Sequence, residues 1–320
     1  MNTRIYKFSF KTEAHFSEGT LDKSSCTFMA DTLYSALCLE ALRQGKLDKF
    51  HEANKEGQLK FSDAFPFIGE RLYLPKPVLQ ISFSEQKKSI TKENIINRKL
   101  YKKMKYICLD LFDDYLNGKD IIAKNGFDNL GVSALRTKNA IRNGTAETLP
   151  YHVGTFRFEK GNGLYVICAY ADDSQANMAD ELFKGLELSG IGGKRSAGLG
   201  RFNLEILKEG KAVESLNKLL SRNLSGEHIY NMSLCVCLPK ENELNEAMNS
   251  ASYCLVKRSG FVAPVSGVTE VLKKKDMYLF AAGSCFKKKF QGDIYNVARG
   301  TPYPVYRYAK PLFIEVESHE

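Results

Sequence analysis

The sequence predicts an α+β chain built from two packed domains. Three observations carry that prediction. The 320 residues are 43% hydrophobic and 26% charged, enough to fill two cores in a globular protein. Runs of alternating apolar and polar residues, the mark of half-buried strands, are interleaved with helical patterns. Residues 230–320 follow the order β-α-β-β-…-β, which fits a ferredoxin-like unit. A first domain is expected over 1–208, a polar linker over 209–229 and a second domain over 230–320. The first domain is expected to carry a projecting insertion, a hairpin or thumb, over about 124–157, and a glycine-rich loop over 190–202.

Taken in order, Arg4 to Phe10 alternates Ile5, Lys7, Ser9 against Tyr6, Phe8, Phe10, which predicts a first strand. The turn after it holds His15, either a core histidine or a loop residue that meets RNA by stacking and hydrogen bonding. Asp31-Thr32 opens a helix whose apolar face would be Leu33, Leu37, Leu39, Ala41 and Leu42, with Asp31 as N-cap. Asp63 to Phe67 and Tyr73 to Pro77 read as extended, and their prolines point to edge or loop paths. The basic run Arg98 to Lys105 reads as a solvated helix face. Asn125 to Thr155 is long, polar and rich in cations, among them Arg136, Lys138 and Arg142. A loop of that length in a compact domain is usually functional. Thr155 to Glu159 and Leu164 to Cys168, joined at Gly161-Asn162-Gly163, read as a hairpin. In the second domain, strands are expected over Tyr230–Leu238, Ser252–Lys257, Met277–Ala282 and Leu312–Val316, with a helix over Glu241–Met248. The triplets Lys273-Lys274-Lys275 and Lys287-Lys288-Lys289 fall in loops.

The stretch from Gly190 to Phe202 carries the most chemistry. It reads Gly-Ile-Gly-Gly-Lys-Arg-Ser-Ala-Gly-Leu-Gly-Arg-Phe. Glycines let successive backbone N–H groups turn toward one concave point, an anion nest. Lys194, Arg195 and Arg201 add positive charge, and Ser196 adds a hydroxyl. It is not a P-loop, because Lys194 is followed by Arg195 and Leu188 stands where the first glycine belongs. It is not a dinucleotide fingerprint, because the third glycine position is Arg195. It also runs from a helix to a strand, the reverse of a mononucleotide cradle. The bland alternative is a helix C-cap and turn. The candidate RNA-binding set is His15, Gly190, Gly192, Gly193, Lys194, Arg195, Ser196, Gly198 and Arg201, with Arg136, Lys138 and Arg142 on the projecting insertion.

Lys and Arg number 46 against 37 acids, a net charge of +9, which favours a polyanionic partner or an acidic protein surface. The start of the chain shows no signal pattern and no run is long enough for a membrane span, so a cytoplasmic setting is expected. The eight cysteines sit mostly in apolar patterns, as buried thiols do in a reducing compartment. Cys235 and Cys237 would share one strand face with no second ligand pair nearby. No metal site, cofactor motif or nucleophile set is read. A metal-free ribonuclease could still use His15 as base with loop cations as stabilisers.

These blocks also resemble a known family. They are Ala14-His15-Phe16-Ser17-Glu18-Gly19, Phe28 to Leu37, Asp63 to Phe67, Leu74 to Pro77, the glycine loop, Ser259-Gly260-Phe261-Val262 and Tyr308 to Phe313. In order and spacing they are similar to the fourth subunit of the Csm complex, the type III-A CRISPR effector, within the RAMP superfamily. The resemblance spans nearly the whole chain. It implies two ferredoxin-like, RRM-like domains and a non-catalytic subunit at the foot of the complex. Such a subunit grips the 5′ repeat-derived tag of crRNA, with the glycine loop and His15 facing the tag and Arg136, Lys138 and Arg142 on the thumb. Its partners would be the large polymerase-domain subunit and the repeated backbone RNase subunit, with target RNA met only indirectly. The alternative is a stand-alone RAMP endoribonuclease that processes repeat RNA.

Overall fold

The computed structural model describes residues 1–81, 92–141, 148–262 and 272–318. The chain begins with β1 (Asn2–Phe10), a small ribbon of β2 (Phe16–Ser17) and β3 (Ser24–Ser25), then α1 (Ala30–Arg43) and α2 (Leu47–Lys55). Strands β4 (Leu59–Phe61), β5 (Phe65–Ile68) and β6 (Arg71–Pro75) follow, then α3 (Lys92–Lys103), β7 (Tyr106–Cys108), α4 (Phe112–Leu116) and α5 (Ile122–Asn125). Two long strands, β8 (Gly131–Ile141) and β9 (Thr148–Phe158), precede β10 (Asn162–Tyr170), α6 (Asp173–Ser189) and β11 (Phe202–Leu207). The rest comprises α7 (Lys211–Leu220), β12 (Ile229–Ser233), α8 (Leu244–Met248), β13 (Leu255–Arg258), β14 (Met277–Phe280), β15 (Cys285–Phe286), β16 (Asp293–Asn296), β17 (Tyr306–Ala309) and β18 (Phe313–Glu317).

The α+β class is as expected. Among the described residues, a seven-stranded sheet runs β11-β1-β10-β5-β6-β7, with β4 also on β10. β1 is antiparallel to both neighbours, from Asn2↔Tyr170 to Phe8↔Leu164 on one side and from Ile5↔Leu207 to Phe10↔Phe202 on the other. β10 and β11 are therefore parallel, joined by α6 with β1 between them, a split β-α-β arrangement. Asp172 caps α6 by accepting from Ser174 N at 2.8 Å. The ring of Phe183 on α6 stacks on Tyr6 with centroids 3.7 Å apart, which seats the helix on the sheet. The alternation read in β1 is real, but its polar face is covered too. Lys7 is buried 4.5 Å from the centroid of the Phe67 ring, while on the opposite face Arg4 pairs with Asp180, which also accepts from Tyr6 Oη.

Several local expectations are corrected. Asp31 does not cap α1; it sits inside the first turn, and Ala30 N donates instead to Asp63 Oδ1 at 2.7 Å. Leu42 is exposed, because the buried stripe of α1 runs through Leu33, Leu37 and Ala41. Pro66 does not mark an edge: β5 lies between β10 and β6, and β6 pairs only from Phe67 onward. β9 does not form a hairpin with β10. It pairs with β8 from Gly131↔Phe158 to Ile141↔Thr148, so the cation-rich stretch is a long two-stranded ribbon rather than a loop. β12 ends at Ser233, so Cys235 and Cys237 lie beyond it, both buried.

The second part holds a three-stranded sheet, β15-β12-β18, and the ribbons β13-β14 and β16-β17. One buried cluster runs from Ile5, Tyr6 and Phe8 through Val213, Leu216 and Leu219 of α7 to Leu234, Ile314 and Val316. The stretch read as a linker thus contains a helix packed against β1 and β18. Asp63 ties the two parts together: its N donates to Leu234 O and its Oδ1 accepts from Val236 N at 3.0 Å. Asp31 accepts a two-pronged bond from Arg258 of β13, at 2.9 and 2.8 Å.

Candidate nucleic-acid interface

The glycine loop leaves α6 and re-enters the sheet at β11, beside the end of β1. Four of its glycines, Gly190, Gly192, Gly193 and Gly200, are forced by close approach. A Cβ on Gly193 would lie 2.7 Å from His15 Cδ2, and one on Gly200, at φ +75°, would lie 1.9 Å from Ile191 O. Inward hydrogen bonds fix the path: Ile191 N to Gly200 O at 3.0 Å, Gly193 N to His15 O at 2.9 Å, and Gly200 N to Glu13 O at 2.8 Å. Lys194 takes a left-handed φ of 57°, and Arg195–Ala197 then make one 3₁₀ turn. This succession is a backbone nest.

The nest is smaller than the glycine count suggests. Most loop amides are spent inside the chain. Among the described residues, those of Gly192, Lys194, Arg195 and Ser196 have no acceptor in the chain. Gly190, Gly198 and Gly200 serve the loop's shape. Lys194 and Arg195 are half-buried at the nest, and Ser196 and Arg201 are exposed. The Arg195 guanidinium bonds back to Gly190 O at 3.4 Å.

His15 lies beneath this loop. It is 3% exposed, and its Nδ1 donates to Gly154 O of β9 at 2.6 Å. A carbonyl can only accept, so Nδ1 carries a proton. Phe16 packs under Gly192. His15 is therefore the floor of the loop and its joint to the ribbon.

The β8-β9 ribbon is anchored at its base. Ala14 and Phe156 exchange two backbone bonds, and Gly154 N donates to Leu21 O at 2.9 Å. Register places Arg136, Lys138, Tyr151 and Arg157 on one face. That face turns toward the loop: Lys194 Nζ is 5.2 Å from the centre of the Tyr151 ring, a cation–π contact. Arg136 makes a two-pronged contact with Glu13, its Nε 3.0 Å from Oε2, and Thr155 Oγ1 donates to the same oxygen at 2.8 Å. The Arg136 bonds hold the Glu13 carboxyl below the usual carboxylate range. Lys138 stands directly opposite Tyr151, and Arg142 lies outside the described residues.

Glu13, Tyr151 and Arg157 were not singled out from the sequence. Tyr151 and Arg157 were legible once β8 and β9 were paired, since alternate residues share a face. Glu13 has no motif of its own. The lysine triplets are engaged within the chain: Lys289 with Glu315 at 2.6 Å, Lys288 with Glu246 at 3.1 Å, Lys273 with Asp276 at 3.6 Å. Among the described residues no three His, Cys, Asp or Glu side chains are grouped to hold a metal ion, and no helix is long and apolar enough to cross a membrane.

The RAMP superfamily matches residues 12–203, and the CRISPR Csm4 C-terminal domain matches residues 227–316. The CRISPR system Cms protein Csm4 of Mycobacterium tuberculosis strain H37Rv is 36% identical, with 98% of each chain covered. That of Streptococcus thermophilus is 37% identical, covering 99% of this chain and 100% of the relative. The fold is shared with a chain in the crystal structure of a Csm3-Csm4 subcomplex of the type III-A CRISPR-Cas interference complex, at TM-score 0.64, 16% identity and 98% and 99% coverage. It is shared also with a chain of a Csm1-Csm4 cassette in complex with cA4, at TM-score 0.61, 17% identity and 99% coverage of both. With its N-terminal part in the RAMP superfamily and full-length relatives of this name at more than a third identity, the chain belongs to the Csm4 family.

Proposed function

We propose that this chain is the non-catalytic subunit that holds the 5′ tag of crRNA in a type III-A effector. The observation that carries the reading is the meeting of the nest at Lys194–Ser196 with the cationic, Tyr151-bearing face of the β8-β9 ribbon. Unfilled amides and lysine and arginine heads suit phosphate oxygens, and an aromatic ring suits an unpaired base. Gly190, Gly192, Gly193 and Gly198 shape the nest, while Lys194, Arg195, Ser196, Arg201 and Lys138 contact RNA. Arg136 and His15 hold the ribbon to the loop. Arg142, outside the described residues, adds a further cation to the sequence after Arg136 and Lys138.

Relatives named Csm4 are found with Csm1 and with Csm3 in solved structures, and the same two neighbours are proposed for this chain. The two family matches support a division into a domain over 1–208, a connecting helix and loop over 209–229, and a domain over 230–320. A cytoplasmic setting agrees with eight free cysteines, several of them buried with thiols pushed well above their ordinary pKa. The endoribonuclease alternative needs His15 as an accessible base, and the burial of that ring under the loop favours the non-catalytic reading.

The test replaces Lys194 and Arg195 together with Ala in the assembled complex. Losing these contacts lowers crRNA retention and flattens its salt dependence. Unchanged retention with an unchanged salt slope makes the loop a scaffold turn only. Cleavage of repeat RNA by the purified chain, abolished by His15→Ala, establishes the nuclease instead.

A further inference from the structure

The ribbon β13-β14 leaves one face bare. Alternate residues of a strand share a face. Register therefore places Val256, Arg258, Met277 and Leu279 on one side, and Leu255, Lys257, Tyr278 and Phe280 on the other. The first side is spent on the body: Leu279 is buried, Val256 and Met277 are half-buried, and Arg258 bonds to Asp31. The second side is anchored at its base, where the buried Phe280 ring meets Tyr253 edge-on at 4.9 Å and Phe286 at 5.2 Å. Beyond that base the side chains stand in solvent. Tyr253 is 40% exposed, Leu255 56% and Tyr278 58%.

A two-stranded ribbon is marginal by itself in water, and neighbouring large apolar side chains on its outer face mark an interaction site. The nearby charges say of what kind. Lys257, directly across the ribbon from Tyr278, has its Nζ 3.0 Å from Asp276 Oδ2, and Lys273 Nζ is 3.6 Å from the same oxygen. Two ammoniums that share a carboxylate are poorly placed to hold phosphates. Leu255, between the two tyrosines in the pattern, offers no ring to a base. Aromatic and aliphatic side chains at the centre with charge at the rim compose a protein interface instead. The rim is positive: Asp276 is the one acid in residues 253–262 and 272–280, against Lys257, Lys273, Lys274 and Lys275. Lys275 is exposed, and its ammonium has no acceptor among the described residues.

We infer that this face docks a protein partner of one chemistry, an apolar patch edged with carboxylates, carried by one of the two neighbouring subunits proposed above. The inference rests on that reading of the neighbours. Leu255 and Tyr278 are the anchors that fill the patch. Lys275, with the surplus charge of Lys257 and Lys273, meets the carboxylates and sets the orientation. The face belongs to the part matched by the Csm4 C-terminal domain, whereas the nest belongs to the part matched by the RAMP superfamily. Docking here is therefore separable from RNA binding there.

The experiment measures binding of the full chain to each of the two subunits, the counterparts of Csm1 and Csm3, one at a time. Leu255→Ala combined with Tyr278→Ala weakens binding to one subunit about a hundredfold and leaves the other unchanged. Both side chains are exposed, so the thermal midpoint of the chain stays where it was. Lys275→Glu weakens binding to the same subunit about tenfold at low salt, and the loss shrinks as salt rises. Should the double variant lose stability, Lys275→Glu alone decides. Affinities for the two subunits that are both unchanged, or both lowered equally, overturn the inference. So does a native chain that pairs with a second copy of itself through this face and becomes monomeric in the double variant. A double variant that assembles normally but loses single-stranded RNA makes the face an RNA platform and overturns it too. A native chain that binds neither subunit refutes the reading of the neighbours itself, an outcome distinct from a loss confined to the variants.

Discussion

The contrast between Asp31 and Asp63 shows what a single residue reveals in a sequence and what it hides. Asp31 has the local signature of an N-cap, and the cap is supplied instead by Asp63 from another segment. Tertiary donors and acceptors leave no trace in neighbouring positions, so no local rule could choose between the two acids. The glycines were more legible, because a missing Cβ states its own reason. Gly200 shows this directly: its φ is +75° and its Cβ position lies 1.9 Å from Ile191 O. Gly200→Ala therefore destabilises the chain by about 1–3 kcal/mol through the left-handed backbone alone, with the clash adding to it. Urea unfolding measures this, and a midpoint equal to that of the native chain contradicts the argument. His15 was left open between core and RNA. The structure buries it and bonds it to Gly154, a contact that only the partner strand could reveal.

At the scale of elements, strand existence was legible and strand pairing was not. Apolar alternation identified the last residues of β9 and the centre of β10 as strands, yet a short glycine turn between them made a hairpin the obvious choice. The true partner of β9 is β8, whose exposed polar residues have no apolar face to announce a strand. The ribbon they form is held to the loop by Arg136 and Glu13. Glu13 has a depressed pKa in the folded chain, so its contribution is complete above the ordinary glutamate range near 4.3. It is lost as pH falls through the lower, folded value. The protection of amides at the base of β8 and β9, measured against their intrinsic exchange rates, therefore falls at acid pH in the native chain. Glu13→Gln shows the lower protection already at neutral pH and little further change. Equal acid sensitivity in the variant removes Glu13 as the clasp.

For the molecule as a whole, two family matches mark two sequence units, yet one continuous core passes through both by way of α7. The linker expectation followed from the polar residues of that helix, although Val213, Leu216, Leu219 and Leu220 stand at helical spacing and mark the face that packs on β1 and β18. The buried pair of Asp31 and Arg258 adds a polar tie between the same two parts. Removing Arg258 leaves the buried Asp31 carboxylate with only the longer ionic contact to Arg307 Nε at 3.9 Å, too little to compensate its burial. Arg258→Ala is therefore expected to cost about 3 kcal/mol. Calorimetry distinguishes the ways this is expressed. A single transition at lower temperature fits one cooperative body, and two resolved transitions mean that the halves melt independently.

The anchoring of the β8-β9 ribbon has a mechanical consequence. The ribbon is bonded to the body at its base, through Ala14, Leu21 and the clasp at Glu13. It is a cantilever, and a load applied along β8 and β9 away from that base becomes torque at it. Glu13 is the fulcrum, because its carboxylate takes Arg136 from the arm while its carbonyl takes the amide of Gly200 from the loop. Any deflection of the arm is thus transmitted through Glu13, and through His15 beside it, to the backbone of the nest, and the loop acts as the strain gauge of whatever pushes on the arm.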